Sequence, residues 1–329
     1  MKSKQILFYT KNLEAPCSSF YYSGLKEICD FKSELMDIES YKIIMVMTYD
    51  HLEIKQIRID YPNIKIGIID PRDHSVYESV KLCDFIIVDS IEMEDYWRKA
   101  NKQIFRYVEY PDISPKYQDY NNSNKITIGY HGNQVHIQTM ENNITPALSN
   151  LGKIYDIDMI FMYNGQPPKG NEPWLPKNVN VKHIQWSFEN YFKKLSSADI
   201  GIVPNGIMSK NKLNKILCEK DDAFNLSSDD YVLRFKMPSN PGRIIVFGLL
   251  GIPVISDFFP SGILHLQEGR GLIAHNQGGW EYSLEKLILS PSLRENMGKK
   301  LQGYVLENFN YKSQNKKLLG FINNTILTI

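Results

Sequence analysis

Little in this sequence points to secretion, a structural metal or a broad electrostatic partner. Cysteine is scarce: Cys17, Cys29, Cys83 and Cys218 are scattered, with no C-x-x-C pair and no cysteine–histidine cluster. Such spacing fits neither a disulfide framework nor a zinc site, and the thiols read as reduced and cytosolic. An excess of charge is missing as well, since 38 lysines and arginines face 37 aspartates and glutamates for a net charge of +1. No global field draws the chain to nucleic acid or to an acidic surface, which leaves room only for a local cationic pocket. Long apolar runs are also absent. Behind Lys2 and Lys4 the apolar stretch covers only residues 6–9, far short of a signal-peptide core, so the chain is expected in the cytoplasm. The longest apolar stretch, residues 244–255, contains Gly248, Gly251 and Pro253 and is too short to span a bilayer. Peripheral contact with the inner face of a membrane stays open.

What is present is enough apolar material for two cores. The chain has 329 residues, 43% of them hydrophobic, and domains typically hold about 100–200 residues. Short apolar runs alternate with longer amphipathic ones, as βα units require. Residues 5–9, 41–48, 64–69 and 85–88 read as buried strands, with helices such as 22–31 and 92–101 among them. Pro111-Asp112-Ile113-Ser114-Pro115 and Asn121-Asn122-Ser123-Asn124 lack an apolar period, which places a linker at 116–124. A second series of strands follows at 125–130, 159–162, 179–183, 200–203 and 253–256, then helices at 284–289, 292–309 and 315–326. The expected architecture is α/β, with two Rossmann-like doubly wound domains at 1–115 and 125–310. A C-terminal helix of about 311–329 is free to pack back on the first domain. Such sheets bind ligands at the carboxyl ends of their strands, so the loops there carry the functional signal.

The common phosphate and hydrolase motifs do not occur. Gly129-Tyr130-His131-Gly132 is not G-x-G-x-x-G, and the Gly165…Gly170 spacing is followed by Asn171 where a phosphate loop needs lysine. Neither H-E-x-x-H nor G-x-S-x-G is found. Asp156-Ile157-Asp158 precedes a strand instead of ending one, and reads as a solvated turn more readily than as a metal site. No metal or other cofactor is expected.

The informative segment is Phe235-Lys236-Met237-Pro238-Ser239-Asn240-Pro241-Gly242-Arg243 and the apolar run behind it. Asn240 suits an N-cap, and Pro241 suits the first helical position, where its missing N–H costs nothing. The helix is expected over about 241–250, with Gly251 ending it and Pro253 opening the next strand. Amides of Gly242 and Arg243 at a helix start, the small Ser239, and the side chains of Arg243 and Lys236 suit a diphosphate. An ordinary capped helix carrying surface cations is the competing reading.

Four blocks then occur in a telling order. Ser196-Ser197-Ala198-Asp199-Ile200-Gly201-Ile202-Val203-Pro204 resembles the helix and A-D-x-x-x-x-P strand of GT-B glycosyltransferases, particularly family 4. The run from Arg243 through Gly251-Ile252-Pro253-Val254-Ile255 is similar to their K-x-x-E-x-x-x-x-G-x-P-V-V unit. Glu268-Gly269-Arg270-Gly271-Leu272-Ile273 resembles their D-G-x-x-G-x-L-V turn. Ser290-Pro291-Ser292-Leu293-Arg294-Glu295-Asn296-Met297-Gly298 resembles their D-P-x-L-R-x-x-M-G helix start. The resemblance implies a GT-B fold, two domains facing across a cleft, with a nucleotide-sugar donor on the second and a glycan or lipid-linked acceptor on the first. It implies a metal-independent, hexosyltransferase-like transfer to a hydroxyl, in bacterial surface polysaccharide or glycolipid synthesis. One departure stands out. The glutamates of the family's E-x7-E pattern correspond to Pro238 and Val246, so this is a divergent member with an S-N-x-R type loop.

On this model Arg243 and Lys236 stabilise the departing diphosphate. His131, Gly132 and Asn133 approach the donor, with His131 or Asn133 donating to phosphate or sugar. Pro204 and Asn205 turn their backbone to the base or ribose, with a plain turn as the alternative. His265 stands where many members carry another acidic residue beside the donor. In the first domain Asp73 or His74 is placed as general base on the acceptor hydroxyl, or else as a helix cap. Related GT-B chemistry, either sugar-nucleotide epimerisation or polyol-phosphate transfer, remains a rival, as does a non-catalytic nucleotide-sugar-binding subunit of a glycan-assembly complex. A homo-oligomer is left open.

Overall fold

The computed structural model describes residues 5–71, 76–111, 113–116, 120, 125–205 and 241–328. The chain divides into two compact units. Among the described residues, one comprises 5–111 and 309–328, the other 113–205 and 241–308. Each is built on a six-stranded sheet whose neighbouring strands all run parallel.

The first unit runs β1 (Ile6–Tyr9), α1 (Pro16–Leu25), β2 (Asp30–Lys32), β3 (Ile43–Val46), α2 (His51–Asp60), β4 (Lys65–Ile69), α3 (Tyr77–Leu82), β5 (Phe85–Val88), α4 (Ile91–Trp97) and β6 (Gln103–Arg106). Strand order is β2-β1-β3-β4-β5-β6. Successive side chains of a strand point to opposite faces. Leu7, Ile44, Ile66 and Ile86 thus enter one core, while Ile6, Phe8, Ile43 and Phe85 enter the other. Burial on both faces is why these central strands read as unbroken apolar runs.

The second unit runs β7 (Lys125–His131), α5 (Gln134–Gln138), α6 (Ile144–Leu151), β8 (Asp156–Tyr163), β9 (Asn180–Gln185), α7 (Tyr191–Leu195), β10 (Ile200–Val203), α8 (Gly242–Leu249), β11 (Val254–Asp257), α9 (Pro260–Leu266), β12 (Gly271–Ala274), α10 (Gln277–Leu289) and α11 (Pro291–Asn308). Its strand order is β12-β11-β10-β7-β8-β9. Read from β9, that is the third-second-first-fourth-fifth-sixth order of dinucleotide-binding folds, and the winding reverses between β7 and β10.

Helix α8 stops where its sequence announces and starts at Gly242, with Pro241 at the N-cap instead of the first helical position. Pro241 has helical dihedrals (φ −75°, ψ −3°). At the other end Gly251 takes φ +70°, so that its N–H reaches Gly248 O (2.9 Å) while Ile252 N–H reaches Phe247 O (2.9 Å). This is a Schellman closure, which glycine enters without strain. A last helix, α12 (Tyr311–Phe321), belongs to the first unit. Its buried Gln314 accepts from Val108 N (2.9 Å) and donates to Val108 O (3.0 Å), as a neighbouring strand would. Asn315 donates to Gly24 O (2.8 Å) and accepts from the Tyr107 hydroxyl (3.0 Å).

Several sequence expectations change. The helix expected at 22–31 starts earlier and ends at Leu25, after which Asp30–Lys32 pairs as β2 on the sheet edge. Asp156 and Asp158 are the opening residues of β8 and not a turn, with Asp158 paired to Lys125 at 2.9 Å. Within the stretch expected as a linker, Lys116 N–H bonds Leu249 O (3.1 Å) and the Tyr120 hydroxyl bonds Gly251 O (2.5 Å), so both are anchored on the second unit. Cys17, Cys29 and Cys83 form no disulfide. Among the described residues no helix is long and apolar enough to cross a membrane.

Candidate functional site

The winding reversal between β7 and β10 is where a sheet of this order opens a crevice for a ligand. β7 ends in His131, β10 leads into Pro204 and Asn205, and the first turn of α8 brings Arg243 to the same place. Arg243 is only 6% exposed, and its Nη1 donates to Pro204 O at 2.8 Å. The guanidinium therefore lies against the peptide bond between Pro204 and Asn205. Its Nη2 meets no acceptor among the described residues, and neither does Nδ2 of Asn205, which is 3% exposed. Leaving a buried donor unmatched costs about 1–3 kcal/mol, more for a charged one. Native interiors seldom carry such groups without a reason, and these two lie beside the winding reversal of the sheet.

The charges around the seat follow from burial. Desolvation pushes the Arg243 pKa down, while Tyr130 and Asp257 pull it back up. Burial likewise holds His131 down to about 3, the Arg243 carbonyl opposing and its charge adding to the depression. His131 is accordingly neutral, and its Nε2 lies 3.3 Å from Arg243 O. A nitrogen facing a carbonyl carries the proton, which leaves Nδ1 as an acceptor. This proton is turned to the first turn of α8. Tyr130 is raised by desolvation, with Arg243 opposing, and its hydroxyl donates to Asn133 O at 2.5 Å. Gly132 has φ +137°, and a Cβ there would sit 3.0 Å from Arg243 Cδ and 3.0 Å from Tyr130 Oη. Only glycine lets this turn lie on the guanidinium.

The remaining expected residues fall out differently. Asn133 is exposed and caps α5, its Oδ1 accepting from Val135 N at 3.0 Å. The Pro204 carbonyl, expected to face a base or ribose, is instead occupied by Arg243. His265 lies five residues along α9 from Pro260, about 7 Å further on at 1.5 Å per residue. Its carbonyl accepts from Arg270 Nε (2.8 Å), its ring is 5.9 Å from Tyr304, and the Arg270 guanidinium lies 4.0 Å over that ring. His265 thus takes part in the packing of α9 on α11. Asp73, His74, Lys236, Ser239 and Asn240 lie outside the described residues. The Gly165…Gly170 loop spends its amides internally, Lys169 N–H and Gly170 N–H bonding the Glu172 carboxylate at 2.6 and 2.9 Å.

Sequence reasoning missed two features. The first is the Asn205 side chain. The second lies in the first unit, where Asp70, Asp89 and Glu109 are all buried, with one carboxylate atom of each within 4.8 Å of the others. These residues follow β4, β5 and β6. An acid just past the end of each of three consecutive strands was the available signal.

By sequence, no family model matches the chain and no curated protein does either. Solved structures do match. The Anabaena protein HepE in complex with UDP-glucose superposes with a TM-score of 0.62 at 9% identity, over 97% of this chain and 99% of that one. A glycosyltransferase from Rickettsia africae gives 0.61 at 10% identity, over 98% and 99%. S. aureus TarM, solved with UDP, Fondaparinux and alpha-GlcNAc-glycerol, gives 0.59 at 11% identity, over 92% of this chain and 58% of that one. At such identities the likeness speaks for the fold, and that fold is GT-B.

Proposed function

We propose that this chain is a glycosyltransferase that moves a sugar from a nucleoside-diphosphate donor to a hydroxyl of a glycan or lipid-linked acceptor. Its setting is bacterial surface polysaccharide or glycolipid synthesis, in the cytoplasm or at the inner face of the membrane. The observation that carries the reading is Arg243, a buried cation at a helix start with one guanidinium nitrogen lacking an acceptor. UDP-glucose in HepE and UDP in TarM support the same ligand class.

In this reading the diphosphate lies at the first turn of α8, and Arg243 takes up the charge that develops as the bond to the sugar breaks. Lys236, Ser239, Asn240 and the Gly242 amide complete that end of the site. A preorganised cation there does the work of a metal, because it is already desolvated and needs no reorganisation during the reaction. Asp73 or His74 removes the proton from the acceptor hydroxyl.

The test is a panel of UDP-, GDP-, CMP- and dTDP-sugars with the purified chain, followed by Arg243→Ala. One donor should be consumed, and the substitution should slow turnover at least tenfold while the chain stays folded. Unchanged turnover would remove Arg243 from the mechanism. Mass spectrometry then separates sugar transfer, which adds an anhydro-sugar mass to the acceptor, from epimerisation, which leaves the donor mass unchanged.

A further inference from the structure

We infer that the Asn205 carboxamide is a second phosphate ligand, which with Arg243 holds the diphosphate between two buried donors and so belongs to the leaving-group site. The inference rests on the nucleoside-diphosphate reading above and assigns within it a residue whose side chain had no role.

Three observations converge. Asn205 stands two residues past the end of β10 at the winding reversal, where such folds open a crevice. Its Nδ2 is buried and bonds to nothing described. The guanidinium lies against the peptide bond preceding Asn205, and its Nη2 is the other buried donor left over. Two N–H donors do not satisfy one another, and the described residues supply an acceptor to neither.

The ligand chemistry follows from this inventory. Arg243 brings one positive charge, Asn205 brings none, and His131 at the same turn is neutral. Phosphate oxygens offer several lone pairs and the negative charge that a buried guanidinium pairs with, whereas a sugar hydroxyl brings no charge. The neutral amide adds a hydrogen bond without adding a second buried charge to desolvate, so the seat remains tolerable when empty.

Asn205→Asp is the sharpest probe, being nearly isosteric while replacing the donor by an anion beside Arg243. The new carboxylate would pair with the guanidinium, raising the melting temperature of the ligand-free chain by a few degrees. It would also repel phosphate and weaken binding of the diphosphate at least thirtyfold by isothermal titration. UDP, GDP, CDP and dTDP serve as probes, each alongside its nucleoside. Asn205→Ala should weaken the preferred diphosphate about fivefold to tenfold and leave nucleoside binding unchanged. A stability gain with a loss confined to diphosphates supports the assignment, because a merely structural asparagine would lose stability and affinity together. Wild-type diphosphate affinity in both variants overturns it while leaving the functional reading intact. If the unaltered chain binds none of the four diphosphates, the functional reading fails, and this inference with it.

Discussion

The two sheets are alike in strand number and direction, yet the residues past their carboxyl ends have opposite character. In the first unit Asp70, Asp89 and Glu109 gather behind β4, β5 and β6. Glu53 at the start of α2 binds the Tyr9 hydroxyl (2.5 Å), the Thr48 hydroxyl (2.9 Å) and Lys11 (3.1 Å). In the second unit the winding reversal carries a buried guanidinium and amide whose donors outnumber their acceptors. Sheet architecture fixes where a ligand can lie, and a few residues after the strand ends fix which chemistry it needs. One acid ends β11, Asp257, and it accepts from Phe258 N (2.8 Å) while offsetting the burial of Arg243.

The contrast breaks most visibly at Arg243. Arg243→Met keeps much of the volume but removes both charge and fork, and should lower kcat/KM for donor turnover by about 100-fold, on the order of 3 kcal/mol. Arg243→Lys should fall between, since an ammonium keeps the charge without the planar geometry. Next in size is Gly132→Ala, which forces a side chain into φ +137° against Arg243 Cδ and Tyr130 Oη. A loss of about 1–3 kcal/mol is expected, read by urea unfolding, with weaker nucleoside-diphosphate binding beside it. Retained affinity there would separate the glycine turn from the seat.

Glu53→Gln tests the other edge. It removes the charged acceptor of the buried Tyr9 hydroxyl and should cost about 1–2 kcal/mol of stability while leaving nucleotide affinity unchanged. A matching loss of nucleotide binding would mean that the two edges do not divide their work as their chemistry indicates. A last test concerns pH. The folded pKa of His131 lies at about 3, below the ordinary value of 6.5. The unfolded chain therefore binds the extra proton between those values. The contribution is fully present above pH 6.5 and is lost as the pH falls toward 3, with a slope of at most about 1.4 kcal/mol per pH unit. His131→Gln should flatten that slope in unfolding curves taken across the window.

Legibility in the sequence followed burial. Strands covered on both faces, such as Phe85–Val88 and Ile200–Val203, are apolar throughout and stand out. β2, β6 and β12 were missed, and all three sit at a sheet edge or carry half-exposed residues that break the apolar run. The helix start at Pro241 and the stop at Gly251 were visible because proline and glycine fix backbone angles locally. For His265, a position in a motif does not show which neighbours α9 gives it; the fold sets its ring 5.9 Å from Tyr304.

The sequence by itself determined the parallel α/β architecture, the order of the motif blocks and the placement of Arg243 at a helix start, since these depend on periodicity and local backbone preference. Only the tertiary structure decided that Arg243 is buried on the Pro204 carbonyl, that Asn205 is left with a spare donor and that His131 stays neutral. Burial and hydrogen-bond satisfaction depend on neighbours brought from distant parts of the chain. Residues 131, 205 and 243 meet only because the sheet reverses its winding between β7 and β10.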